Sequence, residues 1–455
     1  MKNRIKQYLL AASMCVGLTA CSDFFEPIPG VQFGLDETFA SKQRTEEYLN
    51  NVYSYVREVT DAIHPNTYGG IFTEASLDGA NRWNKTYAEW TNGSFNSASA
   101  QASEYFSKYY QAIAKASTFI QNVDKCTEAA ASTRGKWKSE ARALRAYYYF
   151  ELLRLYGPIP LIGEDPIPLD ASLEELIKER NSVDECVNFI ATELQSAIDS
   201  GDLLQRAGKA NLGRMDVATC MALKAKLYLY WASPLFNGNT DQASVKNKDG
   251  KQLFPQTEDN SKWAQARDAY ERFMTFAAGQ GYKLTEVYTN GKLDPYASCR
   301  AAGEFFTTTW EAVDELIFVK LRDLYDYTYW VCPKFTDFQD TDVTGGGGYY
   351  TTQETVDLFF TKDGLTIEED PGYDKFEGIP SANNFTSGRY YDPNNPSRLY
   401  FDADKSKVLK QWKDREPRFY VNITYSGSIW LNEGKYNEEM RTDFTNGANG
   451  TCGKS

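Results

Sequence analysis

The sequence predicts a mainly α-helical protein built on a tetratricopeptide-like scaffold of helical hairpins. Apolar residues recur at i, i+4 and i+7 spacing over several long segments of the 455-residue chain, which is typical of amphipathic helices. The apolar faces mix Ala with Tyr, Trp and Leu, and small residues let paired helices approach closely. After residue 279 the helical period fades, and Asp, Asn, Pro, Gly and Tyr predominate. We therefore expect a long irregular lobe of loops and short hairpins in the C-terminal half.

Six helices are predicted in the first half. We expect Asp36 to cap the first, Ser182 to open the fourth through a capping box with Glu185, and Pro234 to end the fifth. The sequence Gly157-Pro158 should stop the third helix. The predicted helices cover residues 36–59, 103–123, 134–156, 183–198, 216–233 and 262–278. In the second half, the residues of 419–423 and 428–431 are predicted to pair as a hairpin around Ser426-Gly427.

The first twenty residues have the features of a secretory signal. Lys2, Arg4 and Lys6 are followed by a mostly apolar stretch of about a dozen residues, whereas a membrane-spanning helix needs ~20. The sequence Leu18-Thr19-Ala20-Cys21 resembles the bacterial lipobox, in which the cysteine is lipidated and becomes the mature N-terminus. We expect acyl chains on Cys21 to anchor the protein, since each buried CH₂ contributes ~0.8 kcal/mol. The predicted organisation is a lipoprotein signal (1–20), a lipidated tether (21–35), a helical region (36–279) and an irregular lobe (280–455).

Composition excludes several function classes. The net charge is −13, and such a surface repels phosphate backbones, so nucleic acid is not an expected partner. His64 is the single histidine, which removes histidine-rich zinc sites and Ser–His–Asp triads unless His64 itself is used. Because His64 precedes Pro65, we expect it at the surface or at a helix cap. The cysteines beyond Cys21 show no C-x-x-C spacing, so buried free thiols are expected, with or without one disulfide.

Two motifs resemble ligand-binding sites, but for each of them the sequence favours an interpretation without a ligand. Residues 448–455 spell a phosphate-loop pattern with Ala448 in place of the first glycine, but no helix follows Ser455, so we interpret the match as chance. Asp337, Asp340 and Asp342 offer carboxylates to a structural Ca²⁺ ion. Their spacing is not that of an EF-hand, and a solvated acidic loop is the favoured alternative. No other cofactor or metal is expected.

Two loops combine aromatic rings with polar planar side chains. The first runs from Asp78 to Asn84 and continues to Trp90, and the second covers residues 324–330. Sugar rings stack their C–H faces on Trp and Tyr while their hydroxyls bond to Asn, Asp and Arg. The loops therefore predict a ligand site of this kind, the alternative being that the rings fill core between loop and scaffold. The candidate ligand-binding residues are Asp78, Arg82, Trp83, Tyr87, Trp90, Tyr327 and Trp330.

Four blocks of sequence resemble the SusD/RagB family of outer-membrane lipoproteins. Residues 139–161 contain an E-A-x-x-L-R-A-x-x-Y-F run followed by a Y-G-x-x-P-L turn. Residues 213–238, 352–364 and 414–419 are similar to further blocks of the family, in the family's order. Together with the lipobox, the blocks cover most of the chain, and they are specific jointly rather than singly.

The resemblance implies a non-catalytic nutrient-binding lipoprotein, exposed on the outer membrane and anchored there by lipid on Cys21. Members of the family form a lid on a TonB-dependent, SusC-like transporter and deliver glycans to it. A SusC-like transporter, a glycan and outer-membrane lipid are therefore the expected partners. In the family, ligand residues come from the loop after the first helix and from a loop in the second half. The resemblance thus implies ligand roles for Asp78, Arg82, Trp83, Trp90 and Trp330.

Three other functions stay open at this point. Some relatives serve peptide importers, so a RagB-like peptide-binding role is the nearest alternative. A surface glycoside hydrolase needs two carboxylates flanking the scissile bond, and among 62 acidic residues the presence of such a pair is not informative. A scaffold that only contacts the transporter is the third alternative.

The sequence departs from the family pattern at its C-terminal end. Family members continue beyond the Arg-x-Pro-Arg-Phe segment into a further helical region that has no counterpart here. We therefore expect a fragment or a natural truncation in which an apolar helical face is uncovered and stability is lowered.

Overall fold

Successive helices pack on one another along the first half of the chain. The computed structural model describes residues 34–56, 76, 79–81, 89, 93–163, 165, 167–168, 171–303, 314–320, 334–335, 349–376, 380–404, 406–429, 440–443 and 451–454. The helices are α1 Leu35–Ala40, α2 Lys42–Tyr53, α3 Ala100–Asn122, α4 Ala131–Tyr156, α5 Leu173–Leu176, α6 Val183–Asp199, α7 Val217–Ala232 and α8 Ser261–Gly279. Each helix contacts the next one in the order α2, α3, α4, α6, α7 and α8. The predicted mainly α-helical fold is confirmed.

Small and aromatic residues alternate in the core between these helices. Ala112 on α3 and Ala141 on α4 are fully buried, so the two helices approach closely. The rings of Tyr109 and Tyr148 stack with their centroids 6.0 Å apart in the same interface. Buried apolar surface of this kind stabilises a fold by ~25 cal/mol per Å², and it explains why the periodic segments form helices that pack in chain order.

Capping residues set most of the predicted helix ends. Ser182 caps α6 and forms the capping box with Glu185, and Gly157, at a φ of +67°, ends α4. The prediction for the first helix was wrong in two respects. Gly34 rather than Asp36 is its N-cap, and Ser41 adopts an extended conformation that divides the helix into α1 and α2. Serine favours such a position because it competes with helical hydrogen bonding and suits an N-cap.

Short helices and hairpins surround a second core in the other half. The helices are α9 Pro295–Gly303, α10 Gln353–Asp357 and α11 Pro417–Asn422, and the longest strands are β6 Arg389–Asp392 and β7 Asn395–Asp402. The remaining strands are β1 Ala80–Asn81, β2 Tyr288–Thr289, β3 Lys292–Leu293, β4 Lys334–Phe335, β5 Tyr349–Tyr350, β8 Met440–Asp443 and β9 Thr451–Lys454. Antiparallel pairs join β1 to β5, β2 to β3, β6 to β7 and β8 to β9, and β4 lies parallel to β9. The second core consists of Tyr296, Val356, Tyr400, Phe401, Val408, Phe419, Tyr420 and Tyr425.

The hairpin predicted at residues 419–431 was wrong. Residues 417–422 form α11, with Pro417 in its first turn, where the missing N–H costs nothing. Ser428 instead bridges to Phe401, and the Ile429 N–H donates to the Tyr400 carbonyl. The chain after the Gly427 turn therefore pairs with β7 and not with residues 419–423.

The structure bears on several other predictions made from the sequence. In the phosphate-loop pattern, residues 451–454 form β9, which agrees with interpreting that match as chance. Cys126, Cys186 and Cys220 are buried free thiols, and Cys299 is free and half-buried. His64 and the three aspartates of 337–342 lie outside the described residues. Among the residues that the structure does describe, none of the helices has the length and apolar composition to cross a membrane.

Candidate functional site

Arg145 joins three helices from within the core. Its side chain is fully buried, and its Nε donates to Glu193 Oε2 over 2.8 Å while its Nη1 donates to Ser117 Oγ over 3.1 Å. Arg142, one turn earlier, lies 3.1 Å from the other oxygen of Glu193. The cluster ties α3, α4 and α6 together, so this part of the 139–161 block serves the scaffold.

A second buried cluster joins the start of the scaffold to the turn before α7. Tyr53 Oη donates to Glu140 Oε2 over 2.8 Å, and Arg214 Nε lies 3.0 Å from the same oxygen. The Met215 N–H donates to Tyr53 Oη. Burial raises the pKa of Glu140, while Arg214 and Tyr53 oppose the rise. Glu140 and Arg214, which belong to the sequence blocks, thus also make buried contacts that hold the scaffold together.

Two arginines organise the second core in the same manner. Arg415 is buried, and it donates to the carbonyls of Val356 and Phe359 at the end of α10, each over 2.7 Å. Arg398 donates to both oxygens of Asp294 over 2.9 Å, which links β7 to the start of α9. The described parts of the four blocks thus build the scaffold, and a ligand site has to be sought elsewhere.

Residues 314–320, which we name the strap, cross the helical scaffold. The Phe318 ring packs edge-on against Tyr147, with the centroids 6.1 Å apart, and Thr219 Oγ1 donates to the Ile317 carbonyl over 3.3 Å. At the end of the strap, Lys320 Nζ donates to the Val56 carbonyl over 2.7 Å. A lysine at this place suits the negative end of the α2 dipole. Val56 and Lys320, which each end a described range, are therefore in contact.

The stretches of sequence that follow Val56 and Lys320 pair with each other at β1 and β5. In the β1–β5 pair, Ala80 lies opposite Tyr350 and Asn81 opposite Tyr349. Strand β1 falls between the predicted residues Asp78 and Arg82. The described residues thus make two contacts between the same two stretches of sequence, Lys320 with Val56 and β1 with β5. Strand β1 lies within the first predicted loop, and the second predicted loop falls between Lys320 and β5 in the sequence.

The seven predicted ligand residues lie outside the part of the chain that the structure describes, as does the predicted lipidation residue Cys21. Their roles therefore stay predictions. What the described residues add is the pairing of β1, which lies between Asp78 and Arg82 in the sequence, with β5. The residues in question are Asp78, Arg82, Trp83, Tyr87, Trp90, Tyr327 and Trp330.

Sequence reasoning missed polar and aromatic residues beside the β1–β5 pair. The Tyr350 side chain is 53% exposed. Thr351 Oγ1, next to β5 in the chain, is shielded from solvent without a hydrogen-bond partner among the described residues. A signal was present in the sequence, because the aromatic pair Tyr349-Tyr350 directly follows the four glycines of 345–348.

Two clefts open on the described surface. One, of about 260 Å³, lies beside the strap, where the Arg206 guanidinium sits 4.2 Å from the Tyr282 ring centroid and donates to Asp314 over 2.9 Å. The other, of about 300 Å³, lies between α4 and the end of α6 and is lined by Lys138, Arg142 and Asp202, among others. Within the described ranges, no three His, Cys, Asp or Glu residues converge as a metal site.

Comparison with known families assigns both halves of the chain. A family model described as starch-binding and associating with the outer membrane, of SusD-like type, matches residues 32–229. The model of the SusD family itself, SusD/RagB, matches residues 315–454. Between them the two models match well over half of the sequence, in the order that the four blocks imply. The chain belongs to the SusD/RagB family.

Individual SusD-like proteins are similar to the chain over different spans. A SusD-like protein of Bacteroides ovatus is 27% identical over 175 residues, which make up 37% of this chain and 30% of that protein. The solved structure of BT4246 superposes with a TM-score of 0.69 at 23% identity, over 89% of this chain and 68% of the other. A SusD-like protein from Bacteroides fragilis gives a TM-score of 0.64 at 20% identity, over 92% and 69%. These structures share the SusD-like helical fold.

The SusD/RagB assignment agrees with the separation, along the chain, of the structural residues from the predicted ligand loops. Glu140, Arg145, Arg214 and Arg415 all belong to the family blocks, and all make buried structural ties. The predicted ligand loops contain none of the blocks. The family signal thus accounts for the scaffold, and the ligand-binding roles of the two loops stay predictions.

Proposed function

We propose that the protein captures glycans at the cell surface and delivers them to a SusC-like, TonB-dependent transporter of the outer membrane, without catalysing a reaction. It would be held at the membrane by lipid on Cys21. Membership of the SusD/RagB family supports this function. Peptide capture, hydrolysis and a scaffold role, the alternatives that the sequence leaves open, are outcomes of the experiment below.

The pairing of β1 with β5, together with the contact of Lys320 with Val56, is the observation that carries the proposal. Lys320 contacts Val56 at one end, and Tyr350 lies opposite Ala80 at the other. On this proposal, the aromatic rings of the two predicted loops would serve one ligand together with the polar side chains of Asp78 and Arg82. Stacking needs ring faces and hydrogen bonding needs polar planar groups, so such a region suits a sugar chain.

The experiment measures binding and hydrolysis together. The mature protein is run through native gels that contain a panel of polysaccharides and host-type glycans, and reducing ends are assayed in the same lanes. We expect retardation in at least one gel with no new reducing ends. New reducing ends would identify a hydrolase instead. Absence of retardation in a protein that melts cooperatively would contradict glycan capture and favour peptides or a scaffold role.

Matched tryptophan variants locate the site. Trp83→Ala and Trp330→Ala are expected to weaken retardation about tenfold, as expected for the loss of roughly 1–1.5 kcal/mol of ring stacking. Trp263→Ala is the control, because Trp263 is 41% exposed on α8, far along the chain from either loop. Equal retardation for all three variants would remove the two loops from the site while leaving glycan capture in place.

A further inference from the structure

The cleft between α4 and the end of α6, which we name the α4–α6 cleft, is lined by small and by charged residues. Its volume of about 300 Å³ lies at the lower end of the range found for small-ligand sites. The residues that line it in the described structure include no apolar side chain beyond the stems of the charged ones. The small residues are Gly135, Ser139, Ser196 and Ser200, and the charged residues are Lys138, Arg142 and Asp202.

The two cations of the α4–α6 cleft are paired within the protein, whereas its carboxylate is not. Lys138 Nζ lies 2.6 Å from Asp124 Oδ2. Arg142 Nη1 lies 3.1 Å from Glu193 Oε1. Asp202 is exposed, and its carboxylate accepts no hydrogen bond from a described residue and lies within ion-pair distance of no described cation. This acceptor is therefore available to a ligand.

Gly135 gives the Asp202 carboxylate its place against α4. A Cβ added at residue 135 would lie 2.7 Å from both oxygens of that carboxylate, closer than van der Waals contact allows. Glycine within a helix is less stabilising than alanine, because it loses more conformational freedom on folding. The helix dipole acts mainly over the first turn, which residues 131–134 form, so it gives little return for the glycine. What the glycine visibly achieves is the seating of Asp202 in the cleft.

A neutral sugar matches the polar groups of the α4–α6 cleft. A carboxylate only accepts hydrogen bonds and an ammonium only donates them, while a sugar hydroxyl does both. The bond to Asp124 uses one of the three donors of Lys138, and the Ser196 hydroxyl has no partner among the described residues. An anion would be repelled by Asp202 and a cation by Lys138 and Arg142. The lining thus favours an uncharged ligand rich in hydroxyls, and a free amino acid, which carries both charges, is the alternative tested below.

We propose that the α4–α6 cleft binds one pyranose residue, whose neighbouring hydroxyls donate to the Asp202 carboxylate and accept from the Lys138 ammonium. The Ser196 hydroxyl makes a further contact with the same sugar. The inference rests on the proposed glycan-binding function and goes beyond it. It places a second glycan contact on the helical scaffold itself, on elements that contain neither of the two predicted loops.

The experiment applies saturation-transfer NMR to the full-length mature protein, with D-glucose, D-galactose, D-mannose and L-alanine as separate probes. Transfer from the parent to at least one of the sugars is expected. Gly135→Ala places a methyl group against Asp202, and titration should show binding weakened at least tenfold, although alanine suits the helix better. Asp202→Ala removes the acceptor and should have an effect of the same size, as for the loss of hydrogen bonds to a charged group.

Two control variants match these substitutions. Gly279→Ala adds a methyl group at a glycine of α8 where a Cβ meets open space. Asp199→Ala removes a carboxylate at the same end of α6 that bonds to Gln195 and is not among the residues lining the cleft. Both should bind the sugar within twofold of the parent. Gly135→Ala should melt at or above the temperature of the parent, which shows that lost binding is not lost folding.

The outcomes separate this inference from the function on which it rests. Sugar binding that stays within twofold of the parent in Gly135→Ala and Asp202→Ala would overturn the subsite and leave glycan capture intact. So would the absence of transfer to any sugar from a parent that a polysaccharide retards in the native gels. Neither retardation nor transfer with a folded parent would overturn the proposed function and the subsite together.

A double variant and the amino-acid probe test the position and the ligand class. Trp83→Ala combined with Trp330→Ala removes a tryptophan from each predicted loop and should leave the transfer to the sugar unchanged. Loss of transfer in that double variant would overturn the subsite, because the sugar would then be bound by the loops. Transfer to L-alanine and to none of the sugars would overturn the assignment to a pyranose, since the cleft would then select a zwitterion.

Discussion

At the scale of single residues, the buried arginines are where the fold is most sensitive. Replacing Arg145 by Met removes the guanidinium that faces Glu193 and leaves that carboxylate buried, with Arg142 as its remaining cation. Breaking one partner of a buried ion pair costs ~3–5 kcal/mol. We expect Arg145→Met to lower the free energy of unfolding by about 3 kcal/mol, measured by urea denaturation and far-ultraviolet circular dichroism.

The control for Arg145 is an ion pair that is open to solvent. Lys251 Nζ lies 2.7 Å from Glu185, and both side chains are more than a third exposed. Solvent screens such a pair, so Lys251→Met is expected to cost at most ~1 kcal/mol. If Arg145→Met lowers the free energy of unfolding as little as Lys251→Met does, the buried Arg145 cluster is no more stabilising than an exposed ion pair.

The Asp294–Arg398 pair predicts a specific dependence of stability on pH. Hydrogen bonds from Arg398 hold the pKa of Asp294 at about 2, below its ordinary value of 3.8. A carboxyl whose pKa is lowered in the folded state adds stability above its unfolded pKa and loses it as the pH falls through the folded value. The urea midpoints of the parent and of Asp294→Asn should therefore differ at pH 6 and converge between pH 4 and pH 2. Parallel curves over that range would contradict the assignment.

At the scale of elements, long helices were predictable and short ones were not. The stripe on α4 extends over many turns, and Trp137, Leu144 and Tyr148 on it are buried as the periodicity indicates. Residues 419–423 are a short apolar run, which does not distinguish strand from helix. Burial of Phe419 and Tyr420 together in the second core decides in favour of α11. The contact between Val56 and Lys320 was out of reach for any local pattern, because the two residues are 264 positions apart.

A glycine at the edge of the strap tests how closely that element must approach the scaffold. Gly213 has a φ of +81°, and a Cβ added there would lie 2.9 Å from the Val319 carbonyl. Gly250 has a similar φ of +89°, but a Cβ there meets open space. Gly250→Ala should therefore cost only the ~1–2 kcal/mol of left-handed strain. We expect Gly213→Ala to cost clearly more, since the strap backbone must also move, as measured by urea denaturation. Equal losses of stability in the two variants would mean that the strap backbone can move away from residue 213 at little energetic cost.

At the scale of the whole molecule, the buried ties imply that the helical stack opens as one unit. Stacked helical repeats can unfold from an end, because each repeat contacts only its neighbours. Here the Arg145 cluster spans α3, α4 and α6, and the Arg214–Glu140 pair joins α4 to the turn before α7. These ties connect elements beyond nearest neighbours in the chain. They favour a single cooperative transition over stepwise fraying.

The free thiols of the first core can report on that transition. Cys126, Cys186 and Cys220 are fully buried at three points along the stack, and burial raises the pKa of Cys186 to about 12 and raises that of Cys220 as well. Since the thiolate is the reactive form, none of the three should react with iodoacetamide at pH 8 in the native protein. With rising urea, mass spectrometry should find all three labelled at one common midpoint, equal to that of circular dichroism. Labelling of Cys220 at a lower urea concentration than Cys126 would instead show a stack that unfolds from its α7 side.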